Sequence, residues 1–422
     1  MTISLSRLKM PLILWSTVTL FFAFQFILRL LVGILREDII QKFSIDAVTY
    51  GQLAGFYYLG YAGMQIPIGL MLDRFNFRYV TFVAIMFTSI GMLTFSLAST
   101  WEFVLFGRFL TGAGSGVAIL SIAKITKLYF PEKMQSLMIG FAFTIGLTGA
   151  VAGGIPTKMM FNNLGYDETL QLLAGVAAIL AFLVLIISDK NVEKVEKNEE
   201  HISIKKAFRL LCNPTILSIG LFGGLMVGAL EGFADVWAMP FFNHIYHYSL
   251  DAGTSVTSFV YIGMIFGGAF LGYLSDRFNS PIYMILITGI LMSVVFIILF
   301  MNTTISYFPL ASLMFGLGIL CCYQVLVFSL TTKIVSKSSA GLAMSIVNCI
   351  NMSFGHFFHK AISTILQNNW NGLVNEKNVP IYDLKTYILG LSPVPICCLI
   401  GTLGFWYLAT RQKNGKLKMV GN

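Results

Sequence analysis

Apolar positions along the chain come in long runs broken by short polar segments. Windows free of Asp, Glu, Lys and Arg recur at residues 47–72, 79–101, 134–157, 169–188, 210–230, 252–275, 338–359 and 386–410. Each reaches the roughly 20 residues an α-helix needs to cross a hydrocarbon core. The uncharged window 278–332 is cut by the polar run Asn302-Thr303-Thr304 into two spans. Three further spans, near 11–35, 103–128 and 338–366 (the last extending a window above), emerge once from one to three charges or His are admitted in each. With 210–242 taken as one span, the pattern predicts twelve transmembrane helices in an all-α integral membrane protein.

Composition agrees: 56% of residues are hydrophobic and 11% charged, against roughly 25% charged in soluble domains. The first apolar run is too long for a signal peptide and lacks an Ala-x-Ala-like cleavage end, so it reads as an uncleaved first helix. The six cysteines (212, 321, 322, 349, 397, 398) fall in or beside apolar spans without a C-x-x-C pair, and read as small packing residues and not metal ligands. A net charge of +9 would suggest nucleic acid for a soluble protein; here it sorts by membrane side. With both termini cytoplasmic, 20 Lys and Arg fall in inner segments and 6 in outer ones, leaving Arg29 and Arg108 within helices. That asymmetry sets the expected orientation and leaves no basic surface for nucleic acid.

The one long hydrophilic interruption, 188–209, carries six basic and five acidic side chains. It has too little apolar content to fold alone, apart from an amphipathic piece at Ile202 to Leu211. It divides the chain into an N-terminal half (1–187) and a C-terminal half (210–422) of six helices each. The halves repeat: GLMLDRFN at 69–76 returns as GYLSDRFN at 272–279, an offset of 276 − 73 = 203. The same offset carries helix 2 onto helix 8 and Ser136 onto Ser339. An even number of spans per half makes these parallel repeats about the membrane normal. Each Asp-Arg-Phe-Asn reads as a tight inner turn, with Asp capping the next helix, Asn tolerating a left-handed conformation, and Gly69 or Gly272 letting a neighbouring helix approach.

In Gly69-Leu-Met-Leu-Asp73-Arg74-Phe-Asn76-Phe77-Arg78 the chain resembles the major facilitator superfamily, whose loop between helices 2 and 3 reads Gly-x-Leu-Ala-Asp-Arg-x-Gly-Arg-Lys. The family's weaker second copy is echoed by Gly272, Asp276 and Arg277, and Arg108-Phe-Leu-Thr-Gly112 is similar to its helix-4 pattern. The resemblance implies a twelve-helix carrier whose loop latches an inner gate; Asn76 and Phe77 depart from the pattern and remove one basic contact. Gly55-Phe-Tyr-Tyr58 and Met64-Gln-Ile-Pro67 resemble the amino-acid carriers of intracellular bacteria, the lysosomal dipeptide carriers and, more distantly, the organophosphate exchangers.

Of 19 acidic residues, 17 fall in expected loops or helix ends; Glu231 and Asp235 of helix 7 do not. A charge near a helix centre costs about 2.5–3.5 kcal/mol on insertion scales, so the pair needs a wet cavity, a partner or a proton. Spaced i, i+4, the two share a face and form a candidate proton-coupling site; the other reading has helix 7 ending early with both acids in its outer mouth. Arg29 plus 203 is Gly232, beside Glu231, so in the implied fold Arg29 faces Glu231 across the midline and could hold an anionic group. Its alternative is to snorkel outward. Arg108 serves proton movement or pairs with Glu102. Gln25, Tyr323, Gln324, Asn348 and Asn351 complete the candidate substrate site, the alternative for Asn348 and Asn351, spaced i, i+3, being to bond helix to helix; His356 and His359 lie toward the outer end of helix 11. Gly112, Gly114 and Gly116 follow no strand and precede no Gly-Lys-Ser/Thr, so they read as helix-packing glycines.

These features predict a monomeric secondary transporter of the cell (inner) membrane, not an enzyme, with no cofactor or metal. It would move a small polar solute (amino acid, peptide or other organic carboxylate) by alternating access, driven by protons. The rivals are an organic-anion or sugar-phosphate exchanger, which would want a cation where Glu231 stands, and a non-transporting sensor with the carrier fold.

Overall fold

The computed structural model describes residues 5–187, 204–278, 280–336 and 339–413. Residues 188–203 of the expected linker, Asn279 of the second turn and lysines 337, 416 and 418, expected on the inner side, lie outside them. Among the described residues twelve long helical segments follow in order: α1 Leu5–Ile34, α2 Ala47–Arg74, α3 Phe77–Leu97, α4 Trp101–Tyr129, α5 Glu132–Ala152, α6 Tyr166–Ile187, α7 Pro214–Ile245, α8 Leu250–Arg277, α9 Pro281–Met301, α10 Tyr307–Ile334, α11 Ala340–Asn368 and α12 Leu384–Lys413. Ten are long and apolar enough to cross a membrane. The other two, α2 and α11, run 28 and 29 residues and carry the tyrosines, amides and histidines that lower their hydropathy. Shorter helices, Arg36–Phe43, Ile155–Leu164 and Ile204–Leu211, lie between them.

The turns are built differently from the sequence expectation. Asn76 itself, with φ −57°, caps α3 by accepting from the Arg78 N–H at 2.9 Å, so neither the left-handed Asn nor the Asp73 cap occurs. In the second turn Ser280, not Asp276, caps α9. An amide one residue before the helix reaches the N2 donor directly, whereas an Asp still inside the preceding helix cannot. A Cβ at Gly272 would meet nothing within 4 Å, so the close approach expected there is absent.

The chain packs as two compact units, one taking the described residues of Met1–Arg29 and Leu59–Ser203, the other those of Leu30–Tyr58 and Ile204–Asn422. In the first, α3 packs on α4 and α6 over small residues: Cβ atoms at Gly107 and Gly91 would meet each other's backbones at 2.6–2.7 Å, and one at Gly114 would strike Ala84 and Thr88. Bare backbone substitutes here for the hydrophobic drive that lipid does not provide. In the second unit α8 packs on α10, α9 on α12, and α7 on α11 and α12. The repeat is visible in this packing: a Cβ at Gly60 would collide with the Phe109 carbonyl, and one at Gly263 with the Phe315 carbonyl. The two glycines stand 263 − 60 = 203 residues apart, the offset of the paired turns.

Candidate functional site

The middle of α7, Gly228–Trp237, is a π-helix, a wide turn seen mostly as short bulges at functional sites. Its closing bond runs from the Ala238 N–H to the Phe233 carbonyl. Gly228 and Gly232 let it fit against α11, because Cβ atoms there would stand 2.7 and 3.0 Å from Phe358. All ten residues are buried, including Glu231 at 0% and Asp235 at 4% exposure. Helix 7 therefore does not end early: both acids sit well inside α7.

Asp235 is held at both oxygens. Tyr261 of α8 donates its hydroxyl to Oδ1 at 2.7 Å, and Tyr58 of α2 donates to Oδ2. The two tyrosines are 261 − 58 = 203 residues apart, so one carboxylate is gripped by equivalent side chains of the two repeats. The Tyr58 ring lies 5.4 Å from the His359 ring and fills the space left by Gly355, where a Cβ would stand 2.5 Å from Tyr58 Cδ1. Along α2, Cβ atoms at Gly51 and Gly55 would run into Ser363 and into His356 Nδ1 of α11. On α1, a Cβ at Gly33 would come 2.6 Å from the Asp235 carbonyl oxygen. The 33–58 stretch of α1 and α2 is thus seated on α7 and α11 by glycine contacts, with the tyrosine–aspartate bond at its inner limit.

Beyond this seat the second unit is closed by polar clasps. Tyr50 donates to the Val32 carbonyl at 2.9 Å and meets Trp237 edge-on at 5.8 Å. Arg36 Nη2 donates to the Pro380 carbonyl at 3.2 Å, its guanidinium carbon 5.9 Å from the Tyr50 ring and 6.0 Å from the Tyr382 ring. Pro380 belongs to a short hairpin in which Val374 pairs with Pro380 and Asn378 turns through φ 58°. Lys377 of that hairpin pairs with Glu37 at 3.2 Å, and Asn375 donates to Glu37 Oε1 at 3.3 Å. Burial pushes the Tyr382 hydroxyl up from its ordinary pKa while the Arg36 charge works against it. Neighbouring Asp383, held by Thr386, lies below the usual carboxylate range.

The remaining candidates divide between the two units. Arg29 is 7% exposed, its guanidinium carbon 5.5 Å from the Phe26 ring, so it does not snorkel; it falls in the first unit and Glu231 in the second. Gln25 is buried nearby on α1. Arg108 is 1% exposed and forks onto main-chain oxygens, donating to Leu28 at 2.6 Å and Arg29 at 2.8 Å, while Glu102 is exposed at the start of α4. In the second unit Tyr323 donates to the Gly223 carbonyl at 2.7 Å. Asn351 is fully buried, makes no side-chain hydrogen bond among the described residues, and would lie 3.0 Å from a Cβ at Gly223. Asn348 and Gln324 are half-buried. Of the turn residues, Gly69, Asp73 and Arg78 are half-buried, Arg78 stacking 5.6 Å from Tyr79, and Arg74, Asp276 and Arg277 are exposed. Sequence reasoning missed Tyr58, Tyr261 and Arg36 as functional candidates. The first two had a signal, the motif Tyr-x-Gly at 58–60 and again at 261–263.

A family model described as Major Facilitator Superfamily matches residues 14–358. The chain belongs to the major facilitator superfamily. It is 23% identical over 300 residues to the 4-hydroxybenzoate transporter PcaK of Pseudomonas aeruginosa, covering 63% of this chain and 67% of that one. It is 23% identical over 308 residues to the nitrite extrusion protein of Bacillus subtilis, covering 72% and 74%. Among solved structures, a bacterial homologue of the human lysosomal transporter Spinster, inward-facing and unoccupied, matches with a TM-score of 0.68 at 17% identity, covering 95% of this chain and 97% of that one. The nucleoside transporter NupG matches with a TM-score of 0.71 at 14% identity, covering 93% and 100%. This member of the superfamily has its twelve-helix fold of two repeats and is a multi-pass membrane transporter, not an enzyme.

Proposed function

We propose that this protein is a proton-coupled carrier of a small organic carboxylate in the cell membrane, with both termini cytoplasmic. The observation that carries the reading is Asp235, a buried carboxylate shared by Tyr58 and Tyr261 of the two repeats, one turn from Glu231 in the π-helical stretch of α7. Buried acids are expensive in a membrane and mark ion and proton pathways. Here one of them also ties α2 to α7, so a change in its charge changes what holds the seat together. Ionised, Asp235 accepts from two phenols; protonated, it is a weaker acceptor and the tie between α2 and α7 is loosened. Two matched transporters are named for 4-hydroxybenzoate and nitrite, both small anions, which supports an anionic cargo. Gln25, Arg29, Tyr323, Gln324, Asn348 and Asn351 are the proposed substrate contacts, Glu231 and Asp235 the proton carriers, and Arg108 a brace for the α1 main chain.

The test is uptake into proteoliposomes of a radiolabelled panel (benzoates, amino acids, dipeptides, sugar phosphates) with and without an inward proton gradient. Gradient-stimulated uptake of a carboxylate, lost in Glu231→Gln and Asp235→Asn, is expected. Uptake that ignores the gradient in the wild type overturns proton coupling. Exchange against internal sugar phosphate alone overturns the carboxylate reading.

A further inference from the structure

Arg36 presents a problem the carrier reading does not use. The residue is 3% exposed and its guanidinium is charged at any physiological pH. A buried charge normally finds an opposite charge, and leaving it without one is costly. The nearest acid in sequence, Glu37, is engaged by Lys377 and Asn375 instead. Arg36 has one neutral carbonyl, Pro380, on Nη2, the Tyr382 hydroxyl beside it, two aromatic faces at about 6 Å, and a buried Nε–H with no acceptor among the described residues. A carbonyl dipole is a weak substitute for a carboxylate, which would engage two donors of the fork at once.

We infer that Arg36 is a capture site for the carboxylate of a small solute, and that the Pro380 carbonyl replaces that carboxylate when the hairpin closes. The fork is preorganised by Tyr50 and Tyr382, and the hairpin occupies the place the anion would take. When the hairpin lifts, Arg36 can hold a carboxylate; when it returns, the carbonyl displaces it and water is excluded. A carboxylate fits better than a phosphate, because a dianion would call for a second cation and Lys377 is committed to Glu37. Aromatic walls favour a ring or alkyl group behind the carboxylate. This inference rests on the reading of a carboxylate carrier.

The test places a cysteine at Val379, a residue of the hairpin itself that is 1% exposed while the hairpin is closed, in a chain whose six native cysteines are replaced, and follows maleimide labelling of the purified protein. Benzoate is expected to raise the labelling rate about tenfold, the scale of one charge-assisted bond, and benzamide to leave it unchanged. Arg36→Gln should abolish the benzoate effect and Arg36→Lys should keep a fraction of it. Glu37→Gln should raise basal labelling yet keep the benzoate response, because it frees the hairpin without removing the cation. Should the cysteine variant not fold, the melting temperature of the native chain reads the same contact: benzoate shifts it in the wild type and not in Arg36→Gln. An equal response to benzamide, a response to inorganic phosphate alone, or a benzoate effect surviving in Arg36→Gln overturns the assignment. Proton-driven uptake of a carboxylate with no benzoate response at residue 379 overturns this inference and leaves the carrier reading standing. A benzoate response in a protein without proton-driven uptake does the reverse.

Discussion

Tyr58→Phe removes one hydroxyl and keeps the ring that packs on His359 and Gly355. What is lost is a buried hydrogen bond to a carboxylate, worth about 1.5–3 kcal/mol. Taking about 2 kcal/mol, the balance between seated and released α2 should shift by a factor of about 30. A population of roughly 100 to 1 in favour of the seat would fall to about 3 to 1. Tyr261→Phe takes the same kind of bond from the same carboxylate, but from α8, and leaves the α2–α7 tie in place. The assay is maleimide labelling of a cysteine at Ala54, 1% exposed on the seated face of α2, in a chain without its native cysteines. Tyr58→Phe should accelerate labelling at least tenfold and Tyr261→Phe less than twofold. Equal acceleration by the two variants, or none by Tyr58→Phe, would refute the idea that the Tyr58 bond holds α2 down.

Further outcomes follow from other contacts. Gly51→Ala should lower the melting temperature, because its Cβ would meet Ser363 and stand 2.9 Å from the His359 carbonyl oxygen, an overpacking worth about 1–3 kcal/mol; Gly272→Ala, with nothing within 4 Å, should leave it unchanged. Arg108→Lys should lower the melting temperature, since a single ammonium cannot reproduce the two-carbonyl fork on Leu28 and Arg29, yet leave the pH profile of uptake intact; a shifted profile would return Arg108 to the proton path. Asp383→Ala should cost about 0.5–2 kcal/mol by removing the α12 cap, measured by chemical denaturation at pH 7. Because its folded pKa is depressed, the cap contributes fully above the unfolded carboxylate range near 4 and fades as pH falls through the lower folded value.

Much of the architecture was legible because lipid demands long apolar runs, and a run of that kind has few alternative folds. The repeat was legible for a related reason: Asp73-Arg74-Phe75-Asn76 and its copy stand out against an oily background. The site was less so. Glu231 and Asp235 declared themselves as charges inside a span, but Tyr58 and Tyr261 are ordinary residues of a membrane helix and acquire meaning only once both reach one carboxylate. Extending the repeat comparison upstream to Tyr-x-Gly would have linked them. Arg36 was hidden by its place: a basic residue at a helix end reads as topology, and only three-dimensional packing puts the Pro380 hairpin over it. The capping of α3 by Asn76 was misread because Asp and Asn are both good caps, and one residue of offset decides between them. The π-helical form of α7 has no composition of its own; Gly228 and Gly232 permit it without demanding it.

The glycines of α2 that face α11 give this contact a mechanical character. Attraction across bare backbone is largely dispersion, which weakens within a fraction of an ångström of separation. A seam made this way resists small displacements and then yields abruptly. Such a joint behaves as a snap fastener, with the Tyr58 hydroxyl on Asp235 among its catches, so a single side-chain change there can bias the position of the seated stretch.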